Sequence, residues 1–119
     1  MRKISVKWIG SSQNDLKEFP EDVRSIMGYA LYLAETGGKH QSAKPLKGFG
    51  GAKVLEITDD SDGDTYRAVY TVKFADTVYV LHAFQKKSKK GIATPQQDIK
   101  LIQERLKRAQ EDYEEFKSK

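Results

Sequence analysis

Arg67 and His82 stand on neighbouring strand-like runs of this 119-residue chain, and a lysine cluster follows the second run at once. Arg67 alternates with Tyr66 and Ala68, whose side chains point inward, so its guanidinium occupies the polar face. There it can clamp a phosphate bidentately. The structural alternative is a cross-strand ion pair with Glu56. His82 follows Val78 and Val80 on alternate positions, so its face is either sheet surface or core. An imidazole with a reference pKa of about 6.5 suits general acid or base work. Lys86 and Lys87 lie where that strand leaves the sheet, and Lys89 and Lys90 continue into the loop. An ammonium group placed there stabilises charge developing on a pentavalent phosphorane. Upstream, Lys44, Lys47 and Lys53 extend the track along neighbouring phosphates, in a stretch from Lys39 to Lys53 without a single acid. Cations at a loop, on a sheet face and at the sheet's exit are what a polyanion such as RNA requires.

The rest of the chain reads as scaffold. Apolar residues at 38% fill one core, so residues 1–119 form a single domain. The net charge is +4, and from Pro95 to Lys119 six basic residues balance six acidic ones. The excess therefore lies in residues 1–94, and Asp59, Asp60, Asp62 and Asp64 concentrate it further by gathering acids in one turn. That turn lacks the spacing and closing Glu of a calcium loop, and no metal or other cofactor is expected. The absence of cysteine excludes disulfides and thiolate metal sites. The first residues hold no apolar core of a secretion signal, and no run approaches the ~20 residues of a membrane span. A cytoplasmic protein is expected.

Residues 2–9 alternate as a half-buried strand. Ser11 or Ser12 caps a short helix through Phe19, and Pro20-Glu21-Asp22 starts a second helix that Gly37-Gly38 stops. Residues 39–51 read as a loop, Ala52 to Thr58 as a strand and Asp59 to Asp64 as a turn. Thr65 to Ala75 and Thr77 to Gln85 form a hairpin about a tip at Ala75-Asp76. Thr94-Pro95-Gln96-Gln97 is a capping box, opening a helix with an apolar seam from Ile99 to Phe116. The order β-α-α-β-β-β-α predicts an α+β fold: a three- to four-stranded antiparallel sheet with helices on one face. The other face stays open, and Arg67, His82 and Lys86 meet there in one water-accessible patch.

Two blocks resemble a known family. Lys44-Pro-Leu-Lys-Gly48, Lys53-Val-Leu-Glu-Ile57 and Tyr66-Arg-Ala-Val-Tyr70 together look like the core of the RelE/ParE toxin superfamily. Val80-Leu-His-Ala-Phe-Gln-Lys-Lys-Ser-Lys-Lys90, followed by Thr94-Pro95, is similar to its phage-related HigB branch. The resemblance implies a toxin of a type II toxin–antitoxin system. Such a protein cleaves mRNA at the ribosome without metal, by attack of the 2′-hydroxyl on the adjacent phosphate. It also implies a cognate antitoxin, of helix-turn-helix type, covering the cationic face. The family's strand arginine falls on Arg67, and its second arginine falls on or beside Lys86, here a lysine. Glu56 stands where a basic residue would be expected, and the histidine-bearing HigB relatives offer His82 as a stand-in. Arg67, His82 and Lys86 are thus the expected catalytic set, with Lys44, Lys47, Lys53, Lys87, Lys89 and Lys90 holding RNA. Rival readings are a ParE-like toxin acting on DNA gyrase and a non-catalytic basic nucleic-acid-binding module.

Overall fold

Period-two alternation builds a sheet whose two faces are both apolar, so both must be covered. The computed structural model describes residues 4–49, 53–86 and 94–117. Its elements run β1 (Ser5–Trp8), α1 (Ser12–Lys17), α2 (Glu21–Glu35), β2 (Ala43–Pro45), β3 (Val54–Ser61), β4 (Asp64–Thr71), β5 (Thr77–Lys86) and α3 (Gln96–Lys117). The strands form one sheet in the order β1-β5-β4-β3-β2. β2 to β5 pair antiparallel in sequence, while β1 adds to β5 in parallel, with Ser5 opposite Thr77.

The α+β class holds, with four corrections. The sheet is five-stranded and mixed, because β2 lies inside the segment read as a loop. Three residues including Pro45 are too short to show a period, and only pairing with β3 defines them. β3 runs on through Asp59 and Asp60, and the turn is confined to Asp62-Gly63, with φ of 51° and 86°. Positive φ at both central residues is the two-residue hairpin geometry that follows the strands' twist. β4 ends at Thr71, so five residues, Val72 to Asp76, link it to β5 rather than a two-residue tip.

The fourth correction concerns the layers. α1 and α2 cover one face, where Leu16, Val23, Met27, Ala30 and Leu31 pack on Leu55, Ile57, Ala68, Tyr70 and Val80. α3 covers the other face, seating Ile102, Ala109 and Tyr113 on Val54, Val69, Tyr79 and Leu81. Helices therefore lie on both sides of the sheet. The seam from Ile99 to Phe116 needed a partner surface, and the alternate side chains of the same strands supply it. Burying Ile102 completely is worth about 2–3 kcal/mol. Among the described residues no helix is long and apolar enough to cross a membrane.

Polar ties fasten the far end of α3. Tyr79 donates to Asp112 Oδ2 at 2.7 Å, and Lys7 reaches the same oxygen at 3.3 Å. The Tyr79 hydrogen bond, then Lys7, hold the Asp112 carboxyl below the ordinary carboxylate range against a smaller opposing effect of burial. A carboxylate with a lowered folded-state pKa adds stability above its unfolded value and loses it as pH falls through the lowered one. Urea titrations should accordingly show wild type more stable than Asp112→Asn at neutral pH, with the gap closing on acidification below the ordinary carboxylate range. A gap that stays constant with pH would contradict this assignment.

Candidate active site

Register places Glu56 on β3 and Arg67 on β4 on the α3 side of the sheet, where they meet. Arg67 Nη1 lies 3.1 Å from Glu56 Oε1 and 3.3 Å from Oε2. The pair is only slightly exposed, its side chains retaining 12% and 14% of their accessible surface. Thr94 closes a triangle: its hydroxyl donates to Glu56 Oε2 at 2.9 Å and accepts from Arg67 Nη1 at 3.1 Å. Its hydroxyl thus serves the sheet, where the sequence had marked it as a helix cap. At the helix start the Pro95 carbonyl instead accepts from the Asp98 and Ile99 amides. The triangle opens onto a cavity of about 530 Å³, lined also by Lys44, Lys47, Gln96 and Ile99.

His82 reaches the same face through a departure from alternation. Val69 opposes His82 and Tyr70 opposes Val80, so Leu81 is an extra residue in β5. A β-bulge of this kind re-aims the side chains beyond it. Strict alternation would have kept His82 with Val78 and Val80 in the α2 core; the bulge turns it toward α3. Its Nε2 lies 2.8 Å from Asp98 Oδ1, and Phe84 stacks on the ring at 4.6 Å between centroids. His82 is only 7% exposed, and Nδ1 has no partner among the described residues.

The bulge is braced from behind. Arg105 donates to the Leu81 carbonyl at 2.9 Å and to Ser11 Oγ at 3.2 Å. Gly10, at φ of 58°, makes room for this guanidinium, since a Cβ there would stand 2.9 Å from it. Burial holds the Arg105 guanidinium below its usual value, and it remains protonated at neutral pH.

The expected open patch is thus corrected: α3 covers this face, and His82 lies beneath it with Arg67 at the cavity edge. Lys44 and Lys47 line the Arg67 cavity and are exposed. Lys53 is exposed too but lines a separate cleft with Lys39, Phe49 and Val72. Lys86 ends β5, with its side chain outside what is described; Lys87, Lys89 and Lys90 also lie outside the described residues. Sequence reasoning took Thr94 for a helix cap and passed over Asp98. The one signal for Asp98 was its position in the first turn of α3.

This fold is shared with a solved RelE toxin. The chain is similar to a mutant of Escherichia coli toxin RelE in the free state, with a TM-score of 0.56 and 18% identity over 91% of this chain and 98% of that one. The chain belongs to the family described as phage-derived protein Gp49-like (DUF891), whose model matches residues 14–107. It thereby falls in the RelE/ParE superfamily. A second likeness, to the Mycobacterium tuberculosis toxin–antitoxin complex RelBE2, has a TM-score of 0.47 and 17% identity over 71% of this chain and 99% of that one. At that level it adds no argument. No curated protein sequence matches the chain.

Proposed function

We propose that this chain is the toxin of a type II toxin–antitoxin pair, acting in the cytoplasm as a ribosome-dependent endoribonuclease. The observation that carries the proposal is the Arg67–Glu56 pair at the mouth of a lysine-edged cavity. An mRNA phosphate entering there meets Arg67, with Lys44 and Lys47 on its neighbours. Glu56 removes the 2′-hydroxyl proton, and the 2′-oxygen attacks the adjacent phosphorus. The bond to the 5′-oxygen breaks, leaving a 2′,3′-cyclic phosphate and a 5′-hydroxyl. Arg67 and Lys86 neutralise the charge on the phosphorane. His82 supplies the leaving oxygen's proton, through one water because the ring is buried. Lys53, Lys87, Lys89 and Lys90 extend the contacts to RNA, and an antitoxin of helix-turn-helix type covers the same cationic face. The test is to induce the chain in bacteria without an antitoxin and map mRNA ends. Arrested growth with new cuts in translated messages supports the reading; unaltered growth with intact mRNA rejects it.

Glu56 gives a sharper expectation. In the free protein its carboxylate occupies the guanidinium that a phosphate must engage, so substrate has to displace it. Glu56→Gln should therefore lower KM while cutting kcat by about 10²-fold, the smaller end of general acid–base contributions. Single-turnover cleavage on programmed ribosomes separates the two, and an unchanged kcat would remove Glu56 from the chemistry. The same internal pairing favours one other reading, a basic RNA-binding module without catalysis. Binding that falls steeply with salt, with RNA left uncut on ribosomes, would identify it.

A further inference from the structure

We infer that Asp98 is a positioning residue that fixes the tautomer of His82, leaving Nδ1 as the atom through which this histidine exchanges protons. An ionised carboxylate only accepts hydrogen bonds, so the 2.8 Å contact from Asp98 Oδ1 requires the proton on Nε2. In the neutral ring Nδ1 is then a bare lone pair. That atom is buried without a partner among the described residues. A buried polar atom left unpaired costs roughly 1–3 kcal/mol, which a purely structural histidine would avoid by bonding through both nitrogens. His40 differs at this atom: its Nδ1 accepts the Ser42 amide at 3.0 Å.

Three constraints act on the one ring. The Leu81 bulge sets the face, Phe84 stacks at 17° to set the plane, and Asp98 sets the tautomer and the rotation about χ2. Phe84 is in turn the cross-strand partner of Arg67, so the oriented ring lies one strand from the guanidinium. Only a ring that must present one nitrogen in one direction needs all three. The inference deepens the ribonuclease reading and rests on it for the proton's destination: the protonated ring gives its Nδ1 proton to the leaving 5′-oxygen and returns to the neutral Nε2–H form that Asp98 holds.

The experiment uses the full chain labelled with ¹⁵N and records both ring nitrogens of His82 and His40 at a pH where the rings are neutral. Wild type should show His82 as the Nε2–H form. In the nearly isosteric Asp98→Asn an amide can donate to Nε2, so the Nδ1–H form should appear, while His40 stays unchanged as the internal control. In Asp98→Ala the two forms should mix. On ribosomes, Asp98→Asn should lower kcat by about 10²-fold with little change in KM. An Nδ1–H ring in wild type overturns the proposal, as does a His82 tautomer indifferent to both substitutions. A tautomer switch with unchanged kcat overturns the positioning role. If wild type cuts no RNA at all, the ribonuclease reading fails, and the ring spectra alone still decide whether Asp98 sets the tautomer.

Discussion

Replacing Arg67 by alanine is expected to abolish growth arrest and to lower single-turnover cleavage by about 10²–10³-fold, the loss typical of one donor to a developing oxyanion. The expectation follows from its place: one guanidinium nitrogen touches Glu56 and Thr94 at the edge of the cavity. No other described arginine lines that cavity. Arg67→Lys should recover little, because an ammonium is a point charge and lacks the planar fork that meets two phosphate oxygens at once. Thermal melts of both variants check that the fold survives. A variant that folds and still cuts at the wild-type rate would move the phosphate site elsewhere on the protein.

The largest effect on stability is expected at Arg105, remote from any substrate. The residue is 9% exposed, its guanidinium wedged over Gly10 between the Leu81 carbonyl and Ser11. Arg105→Ala strips a buried carbonyl of its donor, at roughly 1–3 kcal/mol, and removes the packed aliphatic stem as well. About 3 kcal/mol in urea denaturation is the expected loss. Arg105→Met restores most of the stem without the donor and should recover only part of it. Because Leu81 is the inserted residue of the bulge, both variants should also disturb His82 and reduce cleavage at temperatures where they remain folded. Full stability in Arg105→Ala would show that the bulge holds without its brace.

How much of this was legible in the sequence differs from element to element. Helix α2 announced itself through Val23, Met27, Ala30, Leu31 and Ala34, all buried as their spacing requires. The antiparallel run of β3, β4 and β5 followed from alternation, and the ion pair of Arg67 with Glu56 was already the alternative reading of that arginine. The side of the sheet on which His82 falls was not legible. Alternation is a local count, and one inserted residue, Leu81, reverses it without any signature in composition. β2 escaped because its three residues gain their conformation from β3 rather than from their own propensity. The covering of the second face was half visible. The seam of α3 was plain, but a surface for it exists only because β3, β4 and β5 carry apolar residues on both faces, Val54, Val69 and Leu81 on the one that α3 covers. Thr94 carried a misleading signal, since a threonine before proline at a helix start satisfies the cap pattern whichever partner its hydroxyl finally chooses.

The parallel seat of β1 beside β5 has a consequence for the order of assembly. Ser5 to Trp8 emerge from the ribosome early, yet their neighbours Thr77 to Val80 are synthesised some seventy residues later. The hairpins from Val54 to Lys86 can zip locally as they appear, whereas the first strand must wait to close the sheet's far edge. Ile9, Ser11 and the Gly10 socket belong to that late-docking segment, and the brace behind the histidine is completed only when α3 then brings Arg105 to them. The far edge of the sheet thus closes only after translation has passed the final strand.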